Sequence, residues 1–145
     1  MQEITAQEII VPAKKDQIPV VTEFVEALMS SRGFDPKKTL EVMLALEEAC
    51  TNVALYAYDG KDGNQEGLMR IAAGIARSKC RGMELTIEDS GVPFDPTKHI
   101  KPISEAGAEE RPIGGLGIHL IKSYVDELKY ERIDGKNVLT LIKYE

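Results

Sequence analysis

Between Asp35 and Tyr58 the sequence carries two stripes at helical spacing, and one of them is interrupted by polar chemistry. Positions 40, 44, 48, 52 and 56 fall on one line of a helix and read Leu, Leu, Glu, Asn, Tyr. A second line, Val42, Leu46, Ala49 and Val53, supplies a core-facing side. A helix with two such lines is expected to be buried on both sides, with the Glu48–Asn52 side bordering a pocket. Glu48 and Asn52 stand one turn apart, so both side chains reach the same volume. Asp35-Pro36 starts this helix, with proline where its missing N–H costs nothing, and the periodicity predicts that it runs to about Tyr58.

The flanking segments have their own periods. Glu3 to Val11 reads as an edge strand limited by Pro12. Ile18, Val21, Val25 and Leu28 recur at helical spacing, with Asp16 as the expected cap, Pro19 in the first turn and Gly33 as the stop. Asp59-Gly60 and Asp62-Gly63 mark a loop. Met69, Ile71, Ala73 and Ile75 then alternate along a strand from Leu68 to Arg77, and Arg81-Gly82 reads as a turn into a second strand. In that second strand Met83, Leu85, Ile87 and Asp89 share one face, so a carboxylate ends an apolar series. Two closing strands, ELKYERI and VLTLIKY, flank Asp134-Gly135 as a hairpin with a turn of about four residues. The order β-α-α-β-β-loop-α-β-β predicts an α+β two-layer sandwich: a mixed, mostly antiparallel sheet covered on one face by helices.

Residues 90 to 113 lack periodicity and contain prolines at 93, 96, 102 and 112. A connection of that length in a compact domain usually serves as a lid or binding loop. It leads into Gly114, Gly115 and Gly117 at the start of a helix bearing Ile118, Ile121 and Val125. Glycines at a helix start let backbone N–H groups approach a phosphate; they equally suit a hinge or close packing. No Lys-Ser or Lys-Thr follows, so this is not a Walker A motif, and the irregular stretch before it excludes a dinucleotide fingerprint. Asp89 reads either as a strand-end carboxylate or as an acceptor for an exocyclic amine such as that of adenine. The Glu48–Asn52 pair reads either as a solvated patch or as chemistry, since an amide oxygen suits Mg²⁺ and a carboxylate can orient a hydroxyl toward a phosphoryl group.

Composition narrows the function classes. With 145 residues the chain is one domain in size, spanning 1–145, and long enough to need no disulfide or structural metal. The balance of 18 Lys and Arg against 24 Asp and Glu gives a net charge of -6, which supports neither nucleic acid nor an anionic membrane as partner. The two cysteines, Cys50 and Cys80, and two histidines, His99 and His119, show no metal-ligand spacing. The cysteines read as small buried or semi-buried hydrophobes, and Tyr124 and Tyr130 as packing residues. Tyr56, on the Glu48 stripe, is a candidate to border a ligand. No signal peptide or membrane-spanning run is visible, which gives a cytoplasmic expectation.

Three segments, EEACTNVALYAY, IEDSGVPFDP and RPIGGLGIHLI, resemble in order and spacing the successive boxes of the GHKL-type (Bergerat fold) ATP-binding superfamily. More narrowly, they are similar to its anti-sigma-factor serine/threonine kinase branch, over about Leu40 to Lys143. The resemblance implies ATP and Mg²⁺ as ligands. It implies Glu48 as the catalytic or water-orienting acid, Asn52 as the Mg²⁺-coordinating asparagine, and Asp89 as the adenine-binding aspartate with Gly91 beside the base. It implies Gly114, Gly115 and Gly117 as the phosphate-contacting glycine box, a lid over about 95–113, and Arg111 as a lid arginine reaching the terminal phosphate. Glu47 competes with Glu48 on sequence alone, but only Glu48 shares the face of Asn52. The chain departs from the branch at Tyr56-Ala57-Tyr58, where histidine, alanine and tyrosine are common, and at Pro112-Ile113, which lengthens the approach from Arg111 to the glycines.

The function that the resemblance implies is transfer of the ATP γ-phosphoryl group to a serine or threonine of an antagonist protein in a partner-switching pathway. A sigma factor or other output protein and a homodimer are further partners implied by the resemblance. The alternatives are a non-catalytic adaptor whose surface responds to ATP, and a hydrolytic ATPase on the same fold.

Overall fold

A computed structural model of the chain describes residues 6–58, 67–77, 80–95, 97 and 115–145. Its elements are β1 (Gln7–Pro12), α1 (Ile18–Ser31), α2 (Pro36–Asn52), β2 (Leu68–Arg77), β3 (Arg81–Asp89), α3 (Gly115–Tyr124), β4 (Glu127–Ile133) and β5 (Lys136–Tyr144). A short 3₁₀ turn (Lys15–Gln17) precedes α1, and a π-helical turn (Val53–Ala57) continues α2. The five strands form one sheet in the order β1-β2-β3-β5-β4. Every neighbouring pair is antiparallel, so the sheet lies at the wholly antiparallel end of the expectation.

Strand register explains the core. Ile71 pairs with Ile87, Ala73 with Leu85 and Ile75 with Met83, while Leu139 and Leu141 of β5 face Ile87 and Leu85. Because side chains alternate across a strand, this aligns one continuous apolar face. Met69, Ile71, Met83, Leu85, Ile87 and Leu141 are almost fully buried there. The helices close over that face with Val21, Val25 and Met29 of α1, Val42, Leu46 and Ala49 of α2, and Ile121 of α3. Each large side chain so buried contributes roughly 1.5–3 kcal/mol. The opposite face is mixed: Arg70 is held between Glu8 of β1 and Glu88 of β3, while Ile10 and Leu68 on the same face are exposed.

Local chemistry sets the helix ends, and here several expectations change. Asp16 does not cap α1; it lies in the 3₁₀ turn, the N-cap is Gln17, and no side chain caps the helix. Gly33 does end it, at φ 79°, with Phe34 N–H donating to Met29 O and Gly33 N–H to Ser30 O. Those two bonds form a Schellman closure, which needs a residue tolerant of positive φ. The helical run that starts with α2 reaches Ala57, close to the expected end at Tyr58, but beyond Asn52 it widens into the π-helical segment. Leu40 and Leu44 are exposed, at 59% and 39%, so the helix is buried on its Val42–Leu46–Ala49 side rather than on both.

The β2–β3 hairpin also differs from the reading. Arg81 and Gly82 belong to β3, paired with Arg77 and Ala76, instead of forming the turn. Arg81 has a structural role there: its guanidinium lies 4.6 Å over the Phe34 ring and bonds Arg32 O and Glu145. The β4–β5 hairpin keeps the Asp-Gly signal but is tighter than the turn of about four residues expected: Lys136 and Asn137 already pair with Ile133 and Arg132, leaving Asp134 at φ 50° and Gly135 at φ 77°, the positive pair that a two-residue turn requires. Among the described residues no helix is long and apolar enough to cross a membrane.

Candidate functional site

The C-terminal end of α2, the ends of the central strands and α3 surround one cavity, open at its mouth. Its walls are mostly apolar: Ala49, Val53 and Ala57 on one side, Ile87, Leu139 and Ile121 on the others. Asn52, Tyr56, Asp89, Tyr130 and Asn137 supply the polar groups. The geometry follows from the sequence periods. Asp89 is the last inward position of β3, and register sets it beside Met69 of β2 and Asn137 of β5. Asn52 is the last residue of α2, and the π-helical turn after it carries Tyr56 and Ala57 along the same wall. Such turns within helices recur at functional sites.

Asp89 is buried at 7% exposure. Its Oδ1 accepts Asn137 Nδ2 and the Gly91 N–H, both at 2.9 Å. Oδ2 has no hydrogen bond among the described residues. Burial pushes the Asp89 carboxyl above its ordinary value, against the opposing pull of the Asn137 amide, the Gly91 N–H and the Arg132 guanidinium. A carboxylate with one free oxygen on an apolar slot is suited to a flat heterocycle that presents an N–H group.

Gly91 belongs to this site through its backbone. Its N–H closes an Asx turn on Asp89, and its α-carbon lies against Ala57 with no room for a β-carbon. Val92 N–H donates to Ala57 O at 2.7 Å, and Arg132 Nη1 donates to Gly91 O at 2.9 Å. Tyr58 ties the same corner, donating to Leu68 O while its oxygen accepts the Ser90 N–H. Burial is the main cause that raises its phenol, and the nearby Asp89 charge adds to the shift.

The structure therefore brings Asn52 and Asp89 to one cavity, with Gly91 held against two of its wall residues, Asp89 and Ala57. Glu48 is half-buried one turn before Asn52 and outside that cavity's wall, while Glu47 is exposed. Gly115 and Gly117 lie in the first turn of α3, the helix whose Ile121 lines the cavity. Arg111, Gly114 and nearly all of the expected lid, as well as His99 and the Asp59–Gly63 loop, lie outside the described residues.

Four residues of the wall were not anticipated. Tyr130, read as packing, lines the cavity and donates its hydroxyl to Asn137 Oδ1 at 2.5 Å. Phe94 and Ile121 contribute apolar surface, and Asn137 is buried at 6%. Asn137 had a signal: it heads the alternating series Asn137, Leu139, Leu141 as Asp89 ends that of β3. Cys80 is exposed rather than buried, so it and the buried Cys50 are not a pair.

ATP and Mg²⁺ fit these donors. The buried carboxylate and apolar walls suit a base, and the Asn52 amide offers one hard oxygen. No group of three or more His, Cys, Asp or Glu able to hold a metal occurs among the described residues. Mg²⁺ commonly binds through one or two protein oxygens together with substrate phosphates.

Residues 11–143 match the histidine kinase-like ATPase domain family. The chain belongs to that family. The resemblance read from the three boxes is thereby borne out, as is the α+β fold. Curated relatives of this histidine kinase-like ATPase domain include the serine-protein kinase RsbW of Bacillus pumilus, 26% identical over 135 residues, covering 90% of this chain and 81% of that protein. The serine-protein kinase RsbW of Bacillus anthracis is also 26% identical, over 99% of this chain and 88% of its own. Among solved structures, the RsbU and RsbW domains of Rv1364c from Mycobacterium tuberculosis share the fold, with a TM-score of 0.64 at 16% identity. That match covers 96% of this domain and 32% of the solved chain, so the domain spans about a third of that protein.

Proposed function

We propose that this histidine kinase-like ATPase domain is a cytoplasmic anti-sigma-type serine/threonine kinase that phosphorylates an antagonist protein in a partner-switching pathway. The observation that carries the reading is the buried Asp89 carboxylate in an apolar cavity beside Asn52, in a chain whose relatives are named serine-protein kinases. Asp89 holds the exocyclic amine of adenine, and the Ile87, Leu139 and Val53 surfaces take the faces of the ring. Asn52 offers its amide oxygen to Mg²⁺, which when bound with ATP screens the phosphate charge. Glu48, one turn earlier on α2, orients the acceptor hydroxyl and receives its proton. The Gly114, Gly115 and Gly117 backbone contacts phosphate, and Arg111 reaches the terminal phosphate from the lid. The protein acts as a homodimer and also binds a sigma factor or similar output protein.

Incubation of the protein with Mg-ATP and a small antagonist domain tests this reading. Stable phosphoserine or phosphothreonine on the antagonist, absent with Glu48→Gln, supports a kinase. Nucleotide binding with no phosphorylated partner assigns the chain instead to a non-catalytic, ATP-responsive adaptor.

A further inference from the structure

Asn137, the second residue of β5, lies directly across from Asp89 on β3, and its side chain is engaged at four points. Nδ2 donates to Asp89 Oδ1 at 2.9 Å and to Val92 O at 2.8 Å. Oδ1 accepts the Tyr130 hydroxyl at 2.5 Å and the Phe94 N–H at 3.2 Å. A carboxamide has two N–H donors and two lone pairs on oxygen, so these bonds use its whole capacity. Nothing is left for a ligand. The same bonds prevent the amide from turning over, since exchanging nitrogen and oxygen would set acceptor against acceptor at Asp89 and Val92 and donor against donor at Phe94. They also occupy one Asp89 oxygen, and the other is the one left without a hydrogen bond among the described residues.

We propose that Asn137 is the positioning residue of base recognition: it holds Asp89 in the orientation that accepts an exocyclic amine and secures Val92–Phe94 at the cavity wall. The inference rests on the proposed reading of Asp89 as the adenine-binding group. Tyr130 is its outer support, because the phenol fixes the amide oxygen and thereby aims the amide nitrogen at Asp89. The wall segment and the base-recognition carboxylate are in this way coupled through one side chain.

The test compares ATP with purine riboside triphosphate, in which hydrogen replaces the amine, by calorimetric titration of the full chain. A hydrogen bond to a charged group gives wild type a preference for ATP of about 10- to 100-fold. Asn137→Ala is expected to bind both nucleotides and to lower this ratio to about threefold or less, because Asp89 is no longer oriented. A purely structural role would weaken both ligands alike, and a ratio retained in Asn137→Ala overturns the proposal. Should Asn137→Ala lack a cooperative melt, Tyr130→Phe decides: its ratio falls between those values, and an unchanged ratio overturns the proposal. A wild type that does not distinguish the two nucleotides overturns the reading of Asp89 itself, and the role of Asn137 falls with it.

Discussion

Gly91 packs its α-carbon against the backbone of Ala57, joining the segment after β3 to the π-helical turn after α2. A β-carbon at Gly91 would overlap the Ala57 carbonyl and Cβ, and Val92 N–H already holds that carbonyl at 2.7 Å. The obstacle is backbone, so no rotamer change relieves it. Gly91→Ala is expected to destabilise the protein by about 1–3 kcal/mol through overpacking. It should also weaken nucleotide binding, because moving Gly91 draws its N–H from Asp89 Oδ1. Thermal melts and calorimetric titration check both effects; an unchanged melt and affinity would show that the contact is not restrictive.

Asp89→Asn separates stability from recognition. Burial raises the Asp89 carboxyl, so the folded protein holds that proton more tightly than the unfolded chain does. The resulting stabilisation is complete below the unfolded-state pKa and is lost as pH rises through the raised folded value. At neutral pH the ionised group therefore weighs against the empty fold, although Arg132 on β4 offsets part of this. Tyr58 and Tyr130 face the same charge. Asparagine keeps an acceptor for Asn137 and Gly91 without the charge. Asp89→Asn should melt at or above wild type at pH 7, with its advantage shrinking toward pH 4, and should bind ATP at least about tenfold more weakly. A variant less stable than wild type across that whole range would contradict the assignment.

The fold was legible where one face of each element is apolar. Ile71, Ala73 and Ile75 against Met83, Leu85 and Ile87 fixed the central hairpin, because a one-residue slip would turn every one of these side chains to solvent. The ends were less legible. Asp16 has capping chemistry but is taken up in the 3₁₀ turn one residue before the N-cap and makes no cap bond to α1, and Arg81-Gly82 looks like a turn until cross-strand pairing claims it. In the site, Asp89 and Asn52 stood out because each breaks an apolar series. Asn137 breaks one equally, but its meaning lies in partners from β3, β4 and the following segment, far apart in sequence. The exposure of Leu40 and Leu44 was hidden for a related reason: periodicity defines a stripe without saying what packs on it.

The two thiols should behave oppositely. Cys50 is fully buried among core residues, and desolvation pushes its thiol up to about 12, whereas Cys80 is exposed. Thiolate is the reactive form, so a disulfide-exchange reagent at pH 8 should titrate Cys80 rapidly in the folded protein and reach Cys50 only on unfolding. Cys80→Ser should then abolish the fast phase and leave the denaturant-dependent one. A fast phase surviving in Cys80→Ser would mean that Cys50 is accessible.

Glu48 and Asn52 share one face of α2 but are proposed to act on different terms of catalysis. Glu48 is half-buried outside the wall of the cavity, so its removal should leave base recognition intact. Glu48→Gln is expected to bind ATP within about threefold of wild type while phosphoryl transfer falls by about 10²–10⁴-fold, the usual contribution of a positioned general base. Asn52 lines the cavity and is the proposed protein ligand of Mg²⁺. Asn52→Ala should lower ATP affinity in Mg²⁺ to the level that wild type shows with a chelator, and adding the chelator to the variant should change nothing more. Titrations with and without EDTA, alongside phosphorylation rates, distinguish the two roles. If Glu48→Gln loses affinity and rate together, Glu48 serves binding; if Asn52→Ala still responds to the chelator, the Mg²⁺ ligand lies elsewhere.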